Sequence, residues 1–158
     1  MGYKANVDAS VLKNGGTGVG MVVRDKEGKF VMAAVRRTRV TWQPEIAEAE
    51  ALLWGLKLIQ QHQLYPAMME MDCLSLIYKL QGKDEINLEI GTLCEEIRER
   101  AQGKEIQWRF LGREGNESAH QMARVNCRWE ETEVWFDRPP IFLLPQLLKD
   151  CNAIAPHD

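Results

Sequence analysis

The chain has 158 residues, 45% apolar and 27% charged, which fits one globular domain around one core. No apolar run approaches the ~18–20 residues that cross a bilayer, and Met1-Gly2-Tyr3-Lys4-Ala5-Asn6 lacks the apolar stretch of a secretory leader. A net charge of −3 and a pI near 5.7 count against gripping nucleic acid by bulk charge, while leaving room for a basic patch beside an acidic cleft.

Residues 3–10 alternate: Tyr3, Ala5, Val7 and Ala9 share one face of a strand, and Lys4, Asn6, Asp8 and Ser10 the other. Asn14-Gly15-Gly16-Thr17-Gly18 predicts a turn, residues 19–24 a second strand, Asp25 to Lys29 a hairpin turn, and Phe30 to Thr38 a third strand. After Pro44 the period changes to helical, with Ile46, Ala49, Leu52, Leu53, Leu56 and Ile59 inward through about Gln63. Gly55 in that helix implies close approach to the sheet. A short strand over residues 67–71, a helix over 74–80, a helix over 88–101, a strand over 106–111 and a helix over 117–128 follow. The expected fold is α/β, a five-stranded mixed sheet with its first three strands antiparallel and helices on both faces. Residues 1–128 form the domain. Residues 129–158, with Trp135-Phe136, Pro139-Pro140 and Ile141 to Leu144, read as a C-terminal extension packed on it or docked on a partner, with one or two helical turns over 146–151. Cys73, Cys94, Cys127 and Cys151 contain no C-x-x-C pair, and only His62, His120 and His157 accompany them. Reduced thiols in an intracellular compartment are expected, with no structural zinc.

Three acidic residues stand out. Asp8 ends a strand that must be central, where a carboxylate is costly unless solvated, paired or metal-bound; alternatively it caps the following turn. Asp72 ends the fourth strand, at the edge where open α/β sheets place ligands, and also suits the N-cap of the next helix. Glu48 shares a helix face with Ala51, Leu52 and Gly55, which should pack on the sheet, although a charge near a helix start is also favoured by the dipole. Glu50, about 200° further round, is expected in solvent.

Together, Asn6-Val7-Asp8-Ala9-Ser10, Ala47-Glu48-Ala49-Glu50-Ala51-Leu52, Met71-Asp72-Cys73-Leu74-Ser75 and Arg113-Glu114-Gly115-Asn116-Glu117-Ser118-Ala119-His120-Gln121-Met122-Ala123-Arg124 resemble the ribonuclease H-like superfamily. The last segment is similar to its plant branch, found free-standing and in non-LTR retrotransposons. The resemblance implies an endonuclease that cleaves the RNA strand of RNA–DNA hybrids with two Mg²⁺ or Mn²⁺ ions; the expected setting is intracellular, whether nuclear, cytoplasmic or organellar, and the expected state a monomer. Asp8, Glu48 and Asp72 would be the metal-binding catalytic carboxylates. The fourth family carboxylate falls on His120, a departure shared with other nucleases of the superfamily, Argonaute proteins among them. His120 is then a metal ligand or proton shuttle, or a helix residue that only lines the cleft. Ser10, Asn14 and Asn116 match substrate-contacting positions, and a 2′-OH contact is what separates RNA from DNA. Arg36, Arg37 and Arg39 are either phosphate contacts or a solvated strand end. The basic loop of cellular enzymes is missing; Gln81-Gly82-Lys83-Asp84-Glu85 is short and mixed in charge. The alternative function is a catalytically weak nucleic-acid-binding or assembly module with this fold. The five tryptophans are expected to serve packing more than base stacking.

Overall fold

The computed structural model describes residues 2–82 and 88–154. The opening meander forms as expected: β1 (Tyr3–Val11), β2 (Thr17–Asp25) and β3 (Phe30–Thr38) pair antiparallel. The chain continues through α1 (Pro44–Gln61), β4 (Ala67–Met71), α2 (Leu74–Leu80), α3 (Leu88–Ala101), β5 (Ile106–Phe110) and α4 (Glu117–Ala123). β4 lies parallel to β1, and β5 parallel to β4. Residues 83–85 of the segment noted for its mixed charge fall outside the described residues.

Among the described residues the sheet has six strands, one more than expected, in the order β5-β4-β1-β2-β3-β6. The sixth, β6 (Thr132–Phe136), pairs antiparallel with β3 through Met32↔Phe136 to Arg36↔Thr132. It covers what would otherwise be an open edge. Its alternation serves both faces: Val134 packs on the core beneath α1, and Trp135 on the cluster beneath α4. Beyond it, α5 (Leu144–Ile154) is longer than the one or two turns foreseen and seats Leu147 against the α4 side, beside the preceding Leu143. The helix expected over 117–128 stops at Ala123. Arg37 explains where the backbone goes next. Its guanidinium bonds the Asn126 side chain and donates to the Cys127 carbonyl at 3.4 Å, holding residues 126–127 out of the helix.

Alternation along β1 sorts the layers. Ala5 and Val7 enter the larger core under α1, α2 and α3, while Asn6 faces the Asn116 end of α4 and Asp8 faces His120. Two glycines set how closely the helices approach. A Cβ on Gly55 of α1 would lie 2.9 Å from Val7 Cγ1, so this helix rides directly on β1 as anticipated. On the other side, a Cβ on Gly20 of β2 would lie 2.3 Å from the Ala123 nitrogen and 2.6 Å from the Ala119 carbonyl. Those are backbone atoms and cannot rotate away. Gly20→Ala is expected to lower stability by roughly 1–3 kcal/mol in urea unfolding by pushing α4 off the sheet. A wild-type midpoint would show that α4 sits further from β2 than described.

Candidate metal centre

The parallel register of β1 and β4 ends with Asn6↔Glu70, and two residues further each strand delivers an aspartate, Asp8 and Asp72, at the same sheet edge. Glu48 lies seven residues, two helical turns, before Gly55, so the helix that rides on Val7 carries Glu48 to the next inward position of β1. There the Ala9 N–H donates to Glu48 Oε1 at 3.3 Å. One carboxylate oxygen each from Asp8, Glu48 and Asp72 lie within 4.8 Å of one another. Asp8 is 4% exposed, and Glu48 and Asp72 are half-buried.

Such proximity is unfavourable for three anions. Burial, then the charges of Asp8 and Asp72, push the Glu48 carboxyl up to about 9. Burial also raises Asp8, against the hydrogen bond from His120. Glu48 Oε2 is buried with no hydrogen-bond partner. An oxygen-rich, repulsive cluster with one orphaned buried oxygen fits a hard divalent cation, which would neutralise the repulsion and take the free oxygen. The helix positions around it are braced elsewhere: Glu45 accepts from Ser75 Oγ and Lys79 Nζ, both at 2.6 Å, tying α1 to α2. Those bonds outweigh partial burial, which pushes Glu45 up, and hold its carboxyl below its usual value. Glu50, expected in solvent, is half-buried, and burial raises it.

His120 stands beside this cluster. Its Nδ1 is 2.8 Å from Asp8 Oδ2, which leaves Nε2 for other chemistry. Ser10 follows Asp8 on the same face of β1 and is half-buried; Asn14 sits exposed in the turn after β1. Both lie toward the cluster's end of the sheet. Asn116, expected at the substrate, is 1% exposed, and both ends of its amide are used inside the protein. Its Nδ2 donates to the Val7 carbonyl at 2.9 Å, and its Oδ1 accepts from Asn6 at 3.2 Å. Substrate contact would require it to leave at least one of these bonds. The arginines are engaged as well. Arg37 and Arg39 stack on Trp129 at 4.1 and 4.8 Å, and Arg36 lies 3.9 Å from Glu130. Trp42, Trp54 and Trp108 pack against the core. Sequence reasoning did not find Arg24 and Asp150, a largely buried ion pair at 2.7 Å. A lone Arg in an apolar strand, Val22-Val23-Arg24, was the available signal for the first; Asp150 offered none.

Residues 6–126 match the reverse transcriptase-like family. The chain belongs to that family. This ribonuclease H-like domain has no match among curated proteins. Solved structures share its fold. The RNase H1 of the halophilic archaeon Halobacterium salinarum superposes with a TM-score of 0.72 at 21% identity, covering 78% of this chain and 95% of that one. The N-terminal RNase H domain of a Mycobacterium tuberculosis protein gives 0.67 at 20% identity, over 78% and 91%. LC11-RNase H1 from compost, solved in complex with an RNA/DNA hybrid, gives 0.67 at 20% identity, over 76% and 92%. At these identities the likeness concerns the fold. Among the described residues, no helix is long and apolar enough to cross a membrane.

Proposed function

We propose that this ribonuclease H-like domain is an endonuclease that hydrolyses the RNA strand of RNA–DNA hybrids with Mg²⁺ or Mn²⁺. One observation carries the reading: Asp8, Glu48 and Asp72 converge within 4.8 Å, with a buried Glu48 oxygen left without a partner. A fold neighbour bound to an RNA/DNA hybrid supports the choice of substrate.

Asp8, Glu48 and Asp72 would hold the ions. When bound, two divalent ions supply an activated water and a stabilised leaving oxygen on opposite sides of an in-line displacement. The protein's own contribution is positional. Asp8 lies between Glu48 and His120 and orients both sides of the cleft. His120, with Nδ1 on Asp8, keeps Nε2 to accept and pass on a proton at the cleft. Ser10 and Asn14, which follow Asp8 in the chain, would contact the RNA strand and its 2′-OH. Asn116 is left to hold the fold around them.

A second reading, a nucleic-acid-binding module with little turnover, is favoured by His120 at the fourth position and by the net charge of −3. The deciding experiment cleaves a labelled RNA–DNA hybrid with Mg²⁺ or Mn²⁺, beside duplex RNA and duplex DNA, using wild type and Asp72→Asn. Cleavage of the hybrid RNA strand by wild type alone is expected. Equal residual signal in both proteins would mark contamination and favour the binding module.

A further inference from the structure

A line of buried polar side chains runs from the C-terminal helix to the residue before Asp8. Asp150 on α5 accepts from Arg24 Nη1 at 2.7 Å, and Gln146 donates to the other Asp150 oxygen at 2.9 Å. Arg24 Nη2 donates to Asn6 Oδ1 at 2.8 Å. Asn6 Nδ2 donates to Asn116 Oδ1 at 3.2 Å and to Glu70 Oε1 at 3.3 Å, and Asn116 Nδ2 donates to the Val7 carbonyl at 2.9 Å. Asn6, Arg24, Glu70 and Asn116 are each less than one-tenth exposed.

The line has a direction. An arginine only donates, so Arg24 holds the Asn6 oxygen at 2.8 Å, and Glu70, paired with Arg109, accepts from the nitrogen on the other side at the longer 3.3 Å. The Asn6 nitrogen must then face Asn116, whose oxygen turns to meet it. That leaves the Asn116 nitrogen for Val7, the residue before Asp8. Asn116 also opens α4, which carries His120 one turn later, and α4 is tied to α5 a second time by Gln121 and Gln146 at 3.4 Å.

We propose that Asn6 is a positioning residue for the Asp8–His120 side of the cluster, and that Asp150 of the C-terminal helix fixes its orientation through Arg24. The tail is thereby part of the working site, although none of its described residues belongs to the carboxylate cluster. The catalytic consequence rests on the nuclease reading; the effect on metal binding does not.

The test separates stability from positioning. Replacing a buried ion pair with apolar residues of similar volume is often neutral or stabilising. Arg24→Met combined with Asp150→Leu should therefore fold, yet it removes the donor that holds the Asn6 oxygen. Mn²⁺ alone is titrated calorimetrically, with thermal melting and hybrid cleavage in parallel. Expected are a melting temperature lowered by only a few degrees, from the unpaired Asn6 oxygen, a Mn²⁺ Kd weakened roughly three- to tenfold, and kcat lowered at least as much with KM nearly unchanged. Wild-type Mn²⁺ affinity in the folded double variant overturns the proposal. If that variant melts early, Asp150→Ala, which withdraws the acceptor from Arg24 and leaves Asn6 its donor, decides by the same Mn²⁺ measurement, an unchanged Kd again overturning it. Should wild type bind Mn²⁺ but cleave nothing, the nuclease reading falls, while a Kd that depends on these variants still supports the relay.

Discussion

Asp8→Asn is expected to lower hybrid cleavage by at least about a thousandfold while raising the melting temperature of the metal-free protein. The loss corresponds to roughly 4 kcal/mol of transition-state stabilisation. It follows from position: Asp8 is the one member of the cluster that meets Glu48 and Asp72 on one side and His120 on the other. The gain in stability follows from the same burial. Desolvation is the leading reason the Asp8 carboxyl is raised, and the charge of Asp72 adds to it. An asparagine of the same shape removes that charge and keeps a hydrogen-bonding group near His120 Nδ1. Cleavage kinetics in Mn²⁺ and melting in EDTA measure the two halves. Lost activity with lowered metal-free stability would identify Asp8 as a structural cap whose charge the fold requires.

The second large effect is a pH dependence that metal reverses. Unfolded, Glu48 ionises near 4.5; folded without metal, it holds its proton up to about 9, because burial and then the charges of Asp8 and Asp72 oppose ionisation. Between those values the folded state binds more protons than the unfolded one. Its stability is therefore greatest at the acid side and falls as pH rises from about 4.5 to about 9. Glu48→Gln removes the largest share of this slope and leaves the parts that the raised Asp8 and Glu50 carboxyls contribute. At pH 8 without metal it is expected to melt roughly 3–6 °C above wild type, about 1–2 kcal/mol. Divalent metal needs the carboxylate, so its binding expels the proton and its stabilising effect grows with pH. Melting curves from pH 5 to 9 with EDTA or Mn²⁺ test both statements. A wild-type slope that Glu48→Gln leaves intact would show that another group carries it.

Periodicity made most of this protein legible in its sequence. Alternation in residues 3–10 placed Asn6 and Asp8 on the face opposite Ala5 and Val7, and the helical repeat after Pro44 put Glu48 on the sheet-facing side. Both signals are local, because side-chain direction repeats every two residues in a strand and every 3.6 in a helix. What escaped was set by partners far along the chain. β6 exists as a strand because β3 offers an edge, and α4 ends at Ala123, where Arg37 of β3 claims the backbone beyond it.

The sequence by itself determined the three carboxylates, the elements that carry them and the strand ends that bring them together. Tertiary structure alone decided three further things: that burial and its neighbours push the Glu48 carboxyl up, that the Asn116 amide bonds Val7 and Asn6, and that Asp150 reaches Asn6 through Arg24. The physical reason is one of range. Face and period are written residue by residue, whereas desolvation and buried hydrogen-bond direction depend on what arrives from more than 100 residues away, as Asn116 does at Asn6 and Asp150 at Arg24.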